Sequence, residues 1–246
     1  MNENRERIYG LEAALAVLRV RPDDVRRIAY HAELGPRLGP LLRYAAARRV
    51  AYTEKDESEL RAIAGTEHHE GIVVEARERD LLADEEIVSR FASDRGPLRL
   101  VALDGVENPH NVGAVMRTAA FLGVHGVIVH ARIEQPFGPA ALRVAEGGAE
   151  HLALGRASDL ASIARSLADA GVAVIGTDAA ATDDALAFRY PRRALIVLGS
   201  EAAGVSIAVR RTLTHTVGVR GNGSVESLNV SVAAGIVLAA ATRSML

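Results

Sequence analysis

Apolar residues recur along this chain at two different spacings, and the alternation between them outlines the elements. In residues 9–19 (YGLEAALAVLR) they return every three or four positions, which predicts a helix. Residues 25–30, after the turn at Pro22 and Asp23, read as a strand. A second helix is expected over 41–49, a short strand over 50–53, a third helix over 57–64 and a closing strand over 71–76 (GIVVEA). Residues 1–79 therefore predict a small α/β unit of ordinary domain size. The stretch 80–97 (DLLADEEIVSRFASDRGP) turns acidic, predicts one short helix and ends in Gly96-Pro97, as a linker would.

From Leu98 the pattern changes to short apolar runs separated by helical segments. Strands are predicted over 98–103, 126–129, 172–176 and 194–198, and helices through Arg117 and Ala120 and over 161–170. Between them, residues 136–150 contain Gly147-Gly148. Strands alternating with helices argue for a mostly parallel sheet covered on both faces, so residues 98–246 predict a second α/β domain. Ligands in such sheets sit beyond the carboxyl ends of strands, where Thr177, Asp178, Gly199, Ser200 and Glu201 fall. The last apolar run, 228–238, suits a helix packed on most of its circumference, with Ser224 and Ser227 as candidate N-caps and Glu226 near the dipole. Asn229 and Ser231 are expected as buried polar groups in that wall, needing backbone or ligand partners. Gly221 and Gly223 allow a ligand close to the backbone.

Composition narrows the function. With 49% hydrophobic residues in 246, real cores are affordable. No apolar run approaches the roughly 18 residues of a membrane span, and the N-terminus lacks a signal-peptide core, so a cytoplasmic protein with no membrane contact is expected. There is no cysteine and no HExxH, and the adjacent His68, His69 and Glu70 share no helical face, so no metal is expected. The net charge of −2 conceals a gradient: residues 1–49 carry ten arginines against six carboxylates, residues 50–97 six basic against thirteen acidic side chains. Arg26, Arg27, Arg48 and Arg49 are candidate RNA contacts on the basic stretch; arginine suits phosphate, although an arginine bias also follows from genome composition.

The glycine-rich turns raise the question of nucleotides. GNGSVE lacks the third glycine of GxGxxG, Lys55 is the sole lysine and no P-loop is present, and no GxSxG elbow occurs. Three other stretches carry more: LDGVENPHNVGAVMRTAAF (103–121), LIVLGSEAAGVS (195–206) and SLNVSVAAGIVL (227–238). In order and spacing they resemble the three signature motifs of the SpoU (TrmH-like) RNA ribose 2′-O-methyltransferases of the SPOUT superfamily. YGLEA and HHEGIVV resemble the L30e-like domain that precedes the catalytic domain in many of these enzymes and helps select the RNA.

That resemblance implies a trefoil-knotted C-terminal domain that binds S-adenosylmethionine and forms a homodimer, acting on structured tRNA or rRNA. It implies catalytic roles for Asn111, Arg117, Glu201, Ser227 and Asn229, and a cofactor pocket including Thr177, Leu198, Gly199, Val219, Gly223, Ser227 and Leu228. Arg117 fits the NxGxxxR pattern. Its pKa above about 12 makes it an awkward base, so clamping phosphate and stabilising a developing alkoxide suit it better than accepting a proton. Two departures stand out. Ala202 replaces a usual glycine, and Val219-Arg220-Gly221 replaces Ile-Pro-Met, making Arg220 a candidate phosphate contact. A non-catalytic RNA-binding protein of the same fold, and a small-molecule methyltransferase suggested by the near-neutral charge, are the competing classes.

Overall fold

A computed structural model of the chain describes residues 4–93 and 95–243. The first unit holds a four-stranded sheet: β1 (Arg5–Tyr9), β2 (Val25–Tyr30), β3 (Ala51–Glu54) and β4 (Ile72–Arg77), in the order β1-β4-β2-β3. β4 runs antiparallel to β1 and β2, and β3 parallel to β2. Its helices are α1 (Leu11–Val20), α2 (Gly35–Ala47) and α3 (Glu57–Ala64). α3 has the bounds its sequence predicts because a reciprocal Asp56–Glu59 capping box starts it and Gly65, at φ 72°, ends it. α2 begins six residues earlier than expected: Pro36 occupies the first turn, where no N–H is needed, and Pro40 is absorbed inside the helix. The turn expected at His68–His69–Glu70 is present and leads into β4.

Helix α4 (Asp84–Ser93) lies in the acidic stretch and buries Ile87 and Phe91 against the larger unit. The larger unit contains β5 (Leu98–Asp104), α5 (Pro109–Phe121), β6 (Gly126–His130), α6 (Pro139–Val144), β7 (Ala153–Ala157), α7 (Leu160–Asp169) and β8 (Ala173–Thr177). It continues with β9 (Asp183–Asp184), β10 (Arg193–Gly199), α8 (Ile207–Arg210), β11 (His215–Gly218) and α9 (Val230–Thr242). The sheet order is β7-β6-β5-β10-β8-β11-β9, with each neighbouring pair parallel. This is the mostly parallel α/β architecture expected. No helix among the described residues is long and apolar enough to cross a membrane.

β5 is buried at all seven positions, as a central strand covered on both faces must be. Leu100 and Ala102 join the core beneath α4 and α7, whereas Val101 and Leu103 join the core beneath α5 and α9. That second core continues without a break into the first unit, reaching Ile8, Val17 and Ile72. From β5 the chain steps outward to β6 and β7 on one side and later fills β10, β8, β11 and β9 on the other. The order therefore switches between β5 and β10, the place where open α/β sheets present a crevice.

Candidate active site

Three loops leave the carboxyl ends of β10, β8 and β11 and enclose a cleft of about 810 Å³. The loop after β10 turns back at once: Gly204 N donates to Ser200 O at 2.8 Å and Ala203 N to Ser200 Oγ at 3.2 Å. The fold-back is so tight that a Cβ on Gly199 would lie 2.1 Å from the Gly204 carbonyl carbon, so only glycine fits there. Asp104, at the end of β5, accepts from Ser206 N at 2.7 Å and fixes the far end of the loop.

Glu201 sits on this loop and is the hub of the site. Its Oε1 accepts from Asn229 Nδ2 at 2.7 Å, from Val230 N at 3.1 Å and from Asn111 Nδ2 at 3.3 Å. Asn229 Nδ2 also donates to Asn111 Oδ1 at 3.1 Å. Glu201 Oε2 takes no bond among the described residues, which leaves it open to a ligand. The carboxylate lies at the N-terminus of α9, where the exposed N–H groups and the helix dipole favour negative charge. Asn111 reaches it from the first turn of α5, which Asn108 caps by accepting from His110 N at 2.9 Å.

The cap of α9 differs from the sequence expectation. Asn229, not Ser224 or Ser227, is the N-cap, and its Oδ1 accepts from Ser231 N at 2.9 Å and Ser231 Oγ at 2.6 Å. Asn229 is exposed at the mouth of the cleft and not buried in a wall. The physical reason is that 221–229 forms a bent, exposed loop, and the helix begins only where Val230 enters the core.

Every residue expected to hold the cofactor lines the cleft: Thr177, Leu198, Gly199, Val219, Gly223, Ser227 and Leu228. Thr177 is tied inward by its Oγ1, which donates to Val197 O at 3.2 Å. Apolar Leu198, Val217, Val230 and Val237 face polar Asp178, Glu201 and Ser227, a mixture suited to a nucleoside carrying a short charged arm. S-adenosylmethionine fits this description, with backbone at Gly221 and Gly223 open to close approach. Asp178 and Arg210 also line the cleft. Asp178 accepts from Ala180 N at 2.9 Å and from Arg210 Nη1 at 2.8 Å; these bonds, the backbone one first, hold its carboxyl below the usual range. Position after a strand marks Asp178 in the sequence, but nothing local marks Arg210.

Arg117 stands apart from the hub. Six residues along α5 it is about 9 Å further on and turned roughly 240° from Asn111. It pairs instead with Glu146, Nη1 to Oε1 at 2.7 Å. The arginines expected to meet RNA fall in two places. Asp23 gathers Arg26, bonded to its carbonyl at 2.7 Å, and Arg48, bonded to its carboxylate at 2.5 Å and stacked 5.2 Å above Tyr44. Arg27 and Arg49 are exposed on the same unit. Arg220 lies at the rim of the cleft, its Nη2 donating to Thr182 O at 2.6 Å. No group of three or more His, Asp or Glu arranged to hold a metal occurs among the described residues.

Comparison with known proteins matches two family models. Residues 98–239 match the one described as the SpoU rRNA Methylase family, and residues 7–81 the one described as RNA 2′-O ribose methyltransferase substrate binding. A 23S rRNA (guanosine-2′-O-)-methyltransferase RlmB from Burkholderia sp is 34% identical over 240 residues, covering 97% of this chain and 96% of that protein. RlmB of Vibrio parahaemolyticus serotype O3:K6 is 34% identical over 244 residues, covering 99% and 98%. The chain spans 66% of a longer Escherichia coli O157:H7 relative, the uncharacterized tRNA/rRNA methyltransferase YfiF, at 34% identity over 94% of this chain. Among solved structures, the SpoU methyltransferase AviRb from Streptomyces viridochromogenes in complex with AdoMet superposes with a TM-score of 0.80 at 26% identity, over 98% of this chain and 90% of that one.

Proposed function

The chain belongs to the SpoU rRNA methylase family and is an S-adenosylmethionine-dependent RNA ribose 2′-O-methyltransferase, and from that premise we propose that its substrate is a guanosine ribose within folded 23S rRNA. Support for the choice of RNA comes from the RlmB relatives, which match over nearly their whole length and carry that substrate in their names. Association with ribosomal RNA also favours a cytoplasmic location.

The observation that carries the chemistry is the hub of Asn111, Glu201 and Asn229 at the mouth of the cleft. S-adenosylmethionine, when bound, supplies an electrophilic methyl group. Glu201 Oε2 and the Asn111 amide are then placed to orient the ribose, while the Glu201 charge is held by the α9 N-terminus. An arginine offers a fork for the adjacent phosphate and a positive charge for the oxygen that develops negative charge during attack.

Arg117 supplies that fork, we infer, across a homodimer. α9 is apolar around most of its circumference and leaves Val232 52% exposed, and Phe121 at the end of α5 is 88% exposed. Ala114, Arg117, Thr118 and Phe121 share one stripe of α5 by their three- and four-residue spacing. An apolar face of this kind suits a second copy, which would meet Arg117 directly. Phe121→Asp is expected to yield monomers by light scattering and to abolish methyl transfer; an active monomer would overturn the dimer reading.

The test of function is methyl transfer from labelled S-adenosylmethionine to separated 23S rRNA, 16S rRNA and tRNA from cells lacking the protein. Label in 23S rRNA at a guanosine, lost with Arg117→Ala, is the expected result. Label in tRNA alone would overturn the substrate assignment.

A further inference from the structure

The segment between α6 and β7 lies between the two units and touches both. On one side, a Cβ on Gly148 would sit 3.1 Å from the Arg117 Cα and from Met116 O, so this backbone rests directly on α5. On the other, a Cβ on Gly147 would sit 2.5 Å from the Ala16 Cβ, so the same backbone rests on α1 of the first unit. Glu150, three residues on, accepts from Arg21 Nε at 2.7 Å and from Arg79 Nη2 at 2.8 Å, both outside the larger sheet. Glu146 precedes these contacts and has φ 45°, a left-handed conformation that a glutamate adopts only when its surroundings impose it.

That imposed conformation has a consequence for the Glu146 side chain. Its Oε1 lies 2.7 Å from Arg117 Nη1, although the two side chains are 45% and 57% exposed. A free surface pair of this kind samples many geometries, but here both backbones are held: that of Arg117 by the Gly148 contact beneath its own Cα, and that of Glu146 by its neighbour Gly147 against Ala16.

We propose that Glu146 is a positioning residue for Arg117, and that docking of the small unit onto residues 146–150 holds the guanidinium in the orientation it needs for methyl transfer. The proposal rests on the reading that Arg117 serves the transferring site. Glu146 itself touches no substrate. The small unit thus contributes to the chemical step as well as to RNA selection, through a backbone plate one residue thick.

The experiment compares wild type, Glu146→Gln, Glu146→Asp, Arg117→Ala and the Glu146→Gln/Arg117→Ala double variant, using the RNA pool that the wild-type enzyme labels. Expected for Glu146→Gln is a kcat lower by about five-fold, the kinetic equivalent of one exposed charge-assisted contact, with KM for RNA, Kd for S-adenosylmethionine and Tm unchanged. Glu146→Asp, which keeps the charge and tolerates a positive φ better, should recover part of that loss. The double variant should be no slower than Arg117→Ala alone, because the carboxylate acts only through the guanidinium. Wild-type kcat in Glu146→Gln beside an inactive Arg117→Ala, or losses that multiply in the double variant, overturns the inference and leaves the function intact. Full activity in Arg117→Ala overturns the reading beneath it.

Discussion

At the end of β8 a single carboxylate ties two walls of the cleft together. Asp178 draws the 178–181 turn inward through Ala180 N and holds α8 through Arg210. Both bonds favour the charged carboxylate, so its folded pKa lies below the ordinary value of 3.8. A carboxylate depressed in this way stabilises the fold fully above the unfolded value, and that stabilisation is lost as pH falls through the lower folded value. Asp178→Asn should therefore melt below wild type at neutral pH by a margin that stays constant down to about pH 5, and the two should converge below about pH 4. Melting curves from pH 7 to 2.5 check this. A margin that persists undiminished at pH 2.5 would mean that the asparagine amide disturbs packing and that the charge is irrelevant.

Among the elements, the sequence was most legible where local signals and burial agree. β2 and α3 occur at their expected bounds, the first from its buried apolar positions (Val25, Ile28, Ala29 and Tyr30) and the turn residues before it, the second from its cap and its terminal glycine. β1, β7 and β11 were not anticipated. Arg5–Tyr9 and His215–Gly218 mix charged and polar residues with only one or two apolar ones, and Ala153–Ala157 has little β propensity; each is a strand because a neighbouring strand supplies its hydrogen bonds. In the site, position after a strand located the cleft, but the grouping of Asn111, Glu201 and Asn229 joins residues 28 to 118 positions apart, which no local pattern encodes. The Arg117–Glu146 pair was equally invisible, since it depends on how α6 crosses α5. The end of β10 gives the sharpest test at this scale. Gly199→Ala places a methyl inside the backbone of Gly204 and Val205, which has no flexible end to move aside. Overpacking of this kind costs about 1–3 kcal/mol or more, and the 200–204 loop is the part free to shift. The expected outcome is loss of S-adenosylmethionine binding by calorimetry with the far-UV circular dichroism spectrum retained. Binding at wild-type affinity would show that the loop can relax without opening the pocket.

On the scale of the whole molecule, the two units are joined by more than a linker. One apolar core runs from Ile8 and Val17 through Val115 and Met116 to Val237. Beside it Glu6 and Glu150 alternate with Arg21 and Arg79: Arg79 Nε reaches Glu6 Oε2 at 3.0 Å and its Nη2 reaches Glu150 at 2.8 Å, while Arg21 bonds both carboxylates. Side-chain exposures of 6% for Glu150, 11% for Arg79, 13% for Glu6 and 16% for Arg21 place this lattice largely out of water. Burial alone would lower the Arg21 pKa, but hydrogen bonds and charge from Glu150 and Glu6 outweigh it and raise it. A satisfied lattice adds little net stability, because desolvation offsets attraction; removing one member is different, since it strands buried charge. Glu150→Ala leaves Arg21 and Arg79 sharing Glu6, with Asp24, 3.5 Å from Arg21 Nη1, as the other remaining carboxylate, a loss of about 3–5 kcal/mol. For a chain of this size that corresponds to a Tm lower by roughly 6–20 °C. Because the apolar core still spans both units, wild type and variant should each unfold in one calorimetric transition, with van't Hoff and calorimetric enthalpies equal at fixed protein concentration. Two resolved transitions in the wild type would instead mean that the small unit melts independently, and that its contact with residues 146–150 is too weak to hold Arg117 in place.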